Sequence, residues 1–341
     1  MMNEIQNFYE IAENYIKQKK YNEVLNFIKG KLNRFPDNAE LLIILGYVHS
    51  LLNYKDMSEE EVVKLKKKAH DLNKKSPIVW KYLGKMNYDK KEYDKALKCF
   101  KKSIDLNSEV ADVWYEMGRT YHEKEKINKA IESYKKATEL NPDLFDAWDY
   151  LAKVYELKND EKGAIDSYKK IISLIPDSKQ KDDYDKKIEY YKNVLSLDPY
   201  DLDTWEHLGI IYEELSEHEK ALVCFEKATE IAPYDINLLI NIGNIYNKKK
   251  EYDKALDFYE KAINIAPDHA IRKEIPIIET YKKIIENRPD DITLWINMGY
   301  AYEYKKQPDE AFNCYEKALQ INPNDALARF KWHEAYDKRK A

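Results

Sequence analysis

One spacing of residues recurs along this chain of 341 residues, and it constrains the fold more than any other feature. In its cleanest copy a tryptophan is followed by glycine at +4, tyrosine at +7, alanine at +16, an aromatic residue at +20, alanine at +23 and proline at +28. These residues are Trp114, Gly118, Tyr121, Ala130, Tyr134, Ala137 and Pro142. Trp148 begins the same series 34 residues later, and a fixed period of this size is typical of stacked helical hairpins.

The spacing divides each copy into two amphipathic helices. Positions 0, +3, +4 and +7 share one face of a first helix, and positions +16, +20 and +23 share one face of a second helix. Small residues at +4 and +16 allow the two backbones to approach closely, and aromatic side chains fill the remaining space. Proline near +28 ends the second helix because it cannot continue the hydrogen-bond pattern. The spacing therefore predicts an all-α chain.

The tryptophans and glycines keep one register along the chain. Five of the six tryptophans and six of the eight glycines each occupy one phase. They are Trp80, Trp114, Trp148, Trp205 and Trp295, with Gly46, Gly84, Gly118, Gly209, Gly243 and Gly299. The pattern W-x2-L-G-x2-Y…A-x3-F…P resembles the tetratricopeptide repeat family. The resemblance implies a right-handed α-solenoid of stacked helix-turn-helix repeats, whose first helices line a concave groove that binds a peptide or a partner protein.

The register also predicts the organisation of the chain. A degenerate repeat and a repeat with an insertion begin it, two short modules interrupt the period, and a C-terminal helix is expected to cap the array. The predicted boundaries are 5–38, 39–76, 77–110, 111–144 and 145–178 for the first five repeats, 179–201 for a short single-helix module, 202–235 and 236–269 for two repeats, 270–291 for the second short module, 292–325 for the last repeat and 326–341 for the capping helix.

The two short modules have the features of a second helix without a first helix. The spacing between successive prolines falls to 23 and 22 residues in them, where 34 is expected. Two interpretations stay open. In one, each lone helix breaks the solenoid, which then consists of three sub-arrays. In the other, residues 177–183 and 268–275 form shortened first helices, and the superhelix only kinks.

The capping helix has an amphipathic pattern. Its apolar residues are predicted to cover the last repeat, and its charged residues are predicted to face solvent. The covering residues are Leu327, Phe330, Ala335 and Tyr336, and the outward residues are Lys331, Glu334 and Lys338. Trp332 is predicted to serve the same seam, with a partner site as the alternative.

The motifs of catalysis and cofactor binding are absent from the sequence. G-x-G never occurs, and neither Cys-x-x-Cys nor His-Glu-x-x-His is present. Cys99, Cys224 and Cys314 fall at the same phase of distant repeats and are predicted to be apolar fillers beside a helix seam. We therefore assign no catalytic residue, metal ligand or cofactor, and we predict that the chain is not an enzyme.

Charge and hydropathy limit the kinds of partner. The chain has 57 lysines and arginines against 62 acidic residues, a net charge of -5, which disfavours nucleic acid. Lysine pairs at +21 and +22 in three consecutive repeats nevertheless leave nucleic-acid binding open as a remote alternative. These pairs are Lys101–Lys102, Lys135–Lys136 and Lys169–Lys170. No stretch of 18 apolar residues and no signal-peptide core occur, so a soluble cytoplasmic protein without a membrane partner is expected.

The resemblance places the groove-lining positions at -2, +1, +2, +5, +8 and +9 from the tryptophan. In the repeats that begin at 111, 145 and 202, ten of these eighteen positions are acidic, and only Arg119 and Lys153 oppose them. The acids are Asp112, Glu116, Glu123, Asp146, Asp149, Glu156, Asp203, Glu206, Glu213 and Glu214. An acidic groove predicts a partner with a basic segment. Further on, asparagines line the groove; they either hold a peptide backbone or simply fill solvated positions.

The chain is thus predicted to be a non-enzymatic adaptor that binds a peptide or a partner protein in this groove. The predicted binding residues are Tyr115, Glu116, Arg119, Asp149, Tyr150, Lys153, Glu206, Glu213, Asn241, Asn244, Asn297 and Tyr300. A family subtype that grips a C-terminal carboxylate is matched only at Lys81 and Lys85, so that clamp is disfavoured. The chief alternative is a regulatory or targeting subunit that docks onto an enzyme through its convex face.

Overall fold

The structure is a computed structural model that describes residues 2–52, 57–265 and 276–340, with 2–7 and 340 described by their backbone alone. In these ranges the chain forms nineteen helices and no strand. The predicted all-α class with stacked helix-turn-helix repeats is confirmed. The chain divides into two compact units, Met1–Pro176 and Asp177–Ala341, which we call the N-terminal unit and the C-terminal unit.

The N-terminal unit contains ten described helices. They are α1 (Met2–Lys17), α2 (Tyr21–Leu32), α3 (Ala39–Leu51), α4 (Glu59–Leu72), α5 (Pro77–Asp89), α6 (Tyr93–Leu106), α7 (Ala111–Glu123), α8 (Ile127–Leu140), α9 (Phe145–Leu157) and α10 (Glu161–Leu174). The two helices of each hairpin pack on each other, and each hairpin packs on the next. The first helices of successive hairpins also touch, as nearest-neighbour stacking requires.

The C-terminal unit contains nine described helices. They are α11 (Lys181–Leu197), α12 (Leu202–Glu214), α13 (His218–Ile231), α14 (Ile236–Lys248), α15 (Tyr252–Ile265), α16 (Ile277–Ile285), α17 (Ile292–Tyr304), α18 (Pro308–Ile321) and α19 (Ala326–Lys340). Helix α16 packs against both α15 and α17, and one apolar core runs from α14 through α16 to α18.

The two lone modules are seen only in part. Residues 177–180 lie outside any helix, and Lys181 begins α11. The corresponding range 268–275 lies outside the described residues. The division of the chain into repeats and modules therefore stays a prediction, as does the choice between a break and a kink at each module.

The tryptophan near the start of five first helices makes the same hydrogen bond in each of them. Its indole Nε1–H donates to a backbone oxygen six residues earlier, at 2.8–2.9 Å. The acceptors are Lys74, Ser108, Pro142, Pro199 and Pro289. Each acceptor lies in the turn before the helix, so the indole ties the helix to that turn while its ring stays half-buried.

The glycine at +4 brings an aromatic ring against the backbone of the first helix. A Cβ added to Gly118 would lie 2.6 Å from ring atoms of Tyr134, the aromatic residue at +20. The same pairing recurs between Gly84 and Phe100, Gly209 and Phe225, Gly243 and Tyr259, and Gly299 and Tyr315. The predicted close approach of the two helices is confirmed.

The turns inside six of the described hairpins each contain one residue with left-handed backbone. These residues stand at +11, have φ of 56–62° and are Lys91, Glu125, Asn159, Ser216, Lys250 and Lys306. Such a conformation costs a non-glycine residue roughly 1 kcal/mol. Backbone bonds offset that cost: Glu125 N–H donates to His122 O at 2.7 Å, and Lys126 N–H donates to Tyr121 O at 2.9 Å.

The capping helix α19 has a different register from the predicted one. Leu327 and Phe330 are exposed, whereas Ala328, Trp332 and Ala335 pack on the last hairpin. The predicted covering role of Leu327 and Phe330 is therefore wrong.

Arg329 sets this register. It stands six residues after Pro323, at the tryptophan phase, and its Nη2 donates to Pro323 O at 2.7 Å, as each indole does in its own repeat. Lys331 and Glu334 are consequently half-buried and do not face solvent as predicted. Tyr336 stacks on Trp332 with ring centroids 5.3 Å apart, so it keeps its place at the seam.

Candidate partner-binding surface

Six of the predicted binding residues lie on two helices of the N-terminal unit, three on α7 and three on α9. They are Tyr115, Glu116, Arg119, Asp149, Tyr150 and Lys153. The Arg119 guanidinium lies over the rings of Tyr88, Tyr115 and Tyr150, at 4.5, 5.8 and 6.0 Å from their centroids. Tyr115 and Tyr150 also meet edge to face at 5.8 Å. The structure thus gathers these side chains around one cation.

Tyr134 completes this group, although the sequence predicted only a packing role for it. Its ring stacks on Tyr150 at 5.8 Å and lies 6.0 Å from Tyr115. Its hydroxyl is buried and has no hydrogen-bond partner among the described residues. Burial raises the pKa of Tyr134 well above its usual value. Tyr134 therefore packs against this group as a neutral, buried aromatic ring.

Glu116 is a buried ion-pair residue. Its side chain is 5% exposed, and its carboxylate lies 3.1 Å from Lys85 Nζ and 3.0 Å from Arg119 Nη1. Burial alone would raise the pKa of Glu116, but the two cations hold that pKa below its usual range. Glu116 therefore does not present the open negative charge that the count of groove acids assumed.

Lys81 is enclosed by helix α1. Its ammonium lies 3.3 Å from Glu13 and 3.2 Å from Asp112, and it donates to the Tyr9 hydroxyl at 3.1 Å. Only 2% of Lys81 is exposed. Because Lys81 and Lys85 are both paired internally, neither lysine is open to the carboxylate of a ligand.

Other predicted groove acids also have basic partners. Asp149 lies 2.6 Å from Lys153, and Glu213 lies 2.6 Å from Lys248. The sequence counted opposing bases only at the groove-lining positions of the same three repeats, so it missed Lys81, Lys85 and Lys248, which neighbouring repeats supply. Glu206 is half-buried on α12, and Asp146 and Asp203 are exposed. The acidic excess of the surface is thus smaller than the sequence predicts.

The asparagines of the C-terminal unit are oriented by residues behind them. The Tyr259 hydroxyl donates to Asn244 Oδ1 at 2.8 Å, and Asn297 Nδ2 donates to Glu260 Oε1 at 3.3 Å. Asn241, one turn before Asn244, is half-buried. Within the described ranges, no further partner is found for Asn244 Nδ2 or Asn297 Oδ1. Asn244 therefore keeps its amide donors for a ligand, and Asn297 keeps its amide acceptor.

Several cavities open on the C-terminal unit. The first, of about 310 Å³, is lined by Glu260, Ile263, Asn264, Ile277, Tyr281, Asn297, Tyr300, Ala301 and Tyr304. The second, of about 510 Å³, is lined by Lys192, Leu195, Ser196, Trp205, Leu208, Tyr212, Glu219, Lys220, Val223 and Cys224. The first contains two predicted binding residues, Asn297 and Tyr300. The sequence missed its other polar residues, although a glutamate at 260 where early repeats have lysine was a usable signal.

In the part of the chain that the structure describes, no group of three or more His, Cys, Asp or Glu side chains could hold a metal ion. None of the described helices is long and apolar enough to cross a membrane. Cys99, Cys224 and Cys314 are all buried, and burial raises the pKa of the Cys224 and Cys314 thiols to about 12. Such thiols are poor nucleophiles, as expected of packing residues.

The residues that form most of these hairpins match models of a known repeat family. Tetratricopeptide repeat models match residues 146–178, 202–235, 236–269 and 292–325, and a TPR repeat model matches 84–124 and 118–159. Together they cover more than half of the chain. The chain belongs to the tetratricopeptide repeat family. Repeat arrays of this kind generally bind proteins on extended surfaces.

Individual relatives are distant. The chain is similar to the tetratricopeptide repeat domain-containing protein PYG7, chloroplastic, of Arabidopsis thaliana, with 36% identity over 52 residues, which is 15% of this chain and 17% of that protein. A crystal structure of MamA protein shows 23% identity and a TM-score of 0.28, over 57% of this chain and 93% of that one. The APC/C hetero-tetramer Cut9-Hcn1 shows 17% identity and a TM-score of 0.34, over 92% of this chain and 52% of that one.

Proposed function

We propose that the chain is a non-enzymatic scaffold that binds an extended segment of a protein partner along the first helices of its C-terminal unit. The observation that carries this proposal is the orientation of Asn244 and Asn297. Tyr259 and Glu260 hold the two amides from behind, which leaves a donor on one and an acceptor on the other. A peptide backbone needs both kinds of group, and prior orientation lowers the entropic cost of binding.

The test is selection of peptides from a random library on the purified chain, followed by affinity measurements. Asn241 and Asn244 are changed together to alanine, and Asn313, an exposed asparagine on α18, provides the matched control N313A. Each lost hydrogen bond costs about 1 kcal/mol, so we expect roughly thirtyfold weaker binding to the double variant and wild-type binding to N313A. Equal affinity for all three proteins would contradict the proposal.

The partner of the N-terminal unit is proposed to dock on the tyrosines around Arg119. Tyrosine and arginine carry much of the energy of protein interfaces because they combine apolar area with hydrogen bonding. Arg119 is half-buried and already stacked on Tyr88, so it is preorganised for contact.

We propose a cytoplasmic location, as the sequence predicts. The alternative of nucleic-acid binding gains nothing from the structure, since Lys136 of the lysine pairs lies 3.1 Å from Glu139.

A second candidate function is docking onto an enzyme complex through the second helices. Val223 is 54% exposed beside the 510 Å³ cavity, at a position where the other regular repeats carry a polar residue. Those residues are Lys98, Glu132, Asp166, Asp257 and Asn313. An exposed apolar residue in a polar row indicates a contact surface. Val223→Lys should abolish capture of such a complex and leave peptide binding unchanged; unchanged capture would sink this candidate.

A further inference from the structure

The 310 Å³ cavity of the C-terminal unit lies beside a short helix. Helix α16 has 9 residues, whereas the second helices α15 and α18 have 14 each. At 1.5 Å per residue, α16 is about 13 Å long against about 21 Å for a full second helix. Residues of α15, α16 and α17 line the cavity.

A carboxylate without a cation lies in this cavity. Glu260 accepts hydrogen bonds from the Tyr281 hydroxyl and from Asn297 Nδ2, the latter at 3.3 Å. Both donors are neutral, and no lysine or arginine of the described ranges forms an ion pair with Glu260. By contrast, the half-buried Glu213 and Glu303 have lysines at 2.6 and 3.5 Å.

The position of Glu260 is unusual for its phase. Glu226 and Glu316 stand at the same +21 position of other repeats and are exposed, whereas Glu260 is half-buried. Removing a carboxylate from water is costly unless a cation compensates it. Burial, together with the bond to Glu260, raises the pKa of Tyr281, so this hydroxyl stays a neutral donor and adds no charge.

Aromatic rings form the walls above Glu260. Tyr300 and Tyr304 lie one turn apart on α17, and Tyr304 is 40% exposed at the mouth. Aromatic faces attract a cation, and a carboxylate forms a charge-assisted hydrogen bond with it. Tyr300 already attracts one cation: Lys331 lies 4.8 Å from its centroid, but that ammonium is paired with Glu334 at 2.7 Å.

We propose that this cavity binds the cationic side chain, lysine or arginine, of a segment held along the C-terminal unit. This inference rests on the proposed function and names the partner chemistry that the asparagines alone do not specify. The volume is at the lower end of the roughly 300–1,000 Å³ of small-molecule pockets, which suits one long side chain. A cation at Glu260 would complete the kind of pairing that Glu213 and Glu303 already have.

The experiment titrates the full chain with N-acetyl-arginine amide, N-acetyl-lysine amide and the neutral isostere N-acetyl-citrulline amide. Binding is followed by NMR through the side-chain amide signals of Asn264 and Asn297. We expect saturable binding of the arginine or the lysine compound and at least roughly tenfold weaker binding of citrulline, because a charge-assisted bond is lost. Glu260→Gln should weaken the binding of the two cationic compounds by a similar factor. Glu316→Gln, at an exposed position, should leave their binding unchanged.

Two further variants keep the outcome decisive. Tyr304→Leu tests the aromatic wall and should weaken the binding of both cationic compounds several-fold. This variant stays informative if Glu260→Gln folds poorly. Arg272→Gln with Lys273→Gln removes bases that precede α16 in the sequence. Higher affinity in that double variant would show that the chain fills the cavity with its own residues, and it would overturn the assignment to a partner.

The outcomes separate this inference from the proposed function. If citrulline binds as well as arginine, or if Glu260→Gln binds as wild type, the cation site is refuted while peptide binding can persist. If the cations bind at Asn297 but no library peptide depends on Asn241 and Asn244, the cation site stands and the peptide-binding proposal fails.

Discussion

Replacement of Gly118 by alanine should destabilise the N-terminal unit, against the usual preference of helices for alanine. Gly118 lies inside α7, where alanine is favoured by about 1 kcal/mol over glycine. The added Cβ would, however, lie 2.6 Å from ring atoms of Tyr134, well inside ordinary contact. Tyr134 is fully buried between Tyr115 and Tyr150, so its ring cannot move away alone.

The magnitude follows from these two opposing effects. Overpacking of a well-packed core costs about 1–3 kcal/mol. Subtraction of the helix preference leaves a net loss of about 1 kcal/mol, and at most about 2 kcal/mol. The upper limit is consistent with Ala152, which occupies the same phase of the next repeat and is fully buried there.

Gly30→Ala is the matched control. Gly30 lies in α2 of the same unit, and a Cβ there would meet no atom within 4 Å. This variant should therefore gain up to about 1 kcal/mol. Urea unfolding followed by far-UV circular dichroism compares both midpoints with wild type. If Gly118→Ala raises the midpoint as Gly30→Ala does, close ring packing does not determine the residue at +4, and the reasoning is refuted.

Three further predictions concern the indole bond, the buried carboxylate and the turn. Trp205→Phe removes the donor to Pro199 O and should lower the stability of the C-terminal unit by about 1 kcal/mol, measured by thermal melting. The folded-state pKa of Glu116 is depressed below 4.5, so Glu116 stabilises the fold above that pH and loses this contribution as the pH falls. Glu116→Gln should lower the stability by about 3 kcal/mol at pH 7. The same variant should show a flatter decline of melting temperature at acid pH. Glu125→Gly should stabilise by up to about 1 kcal/mol in urea unfolding, since φ there is 57°.

The repeat register was predictable because rare residues carry it. Trp114 and Gly118 each have one structural reason for their place, an indole bond to the preceding turn and a ring against bare backbone. The positive-φ turn at +11 was not predictable, because residues as different as Glu125 and Ser216 occupy it and no glycine marks it. The register of α19 could have been found by counting six residues from Pro323, but Arg329 replaces the tryptophan that signals it.

The charge pattern of the surface was harder to predict than the fold. Its ion pairs join residues far apart in sequence, such as Lys81 with Glu13, and depend on how α1 lies against α5. A count along one strip of helices cannot include cations that other helices supply. The cavity near Glu260 was hidden for a related reason, since residues of three helices line it and no sequence motif marks it.

Pairing of the acids also changes how a basic partner would be recognised. A strip of unpaired acids would attract any cationic segment from a distance, with a strong dependence on salt. Glu116 and Glu213, by contrast, are compensated by lysines and contribute little to a long-range field. Selectivity for a cation then depends on one short-range site, where Glu260 and Tyr304 act together. Such a site should favour one residue of the partner over its overall charge, and salt should weaken binding less than an acidic groove would require.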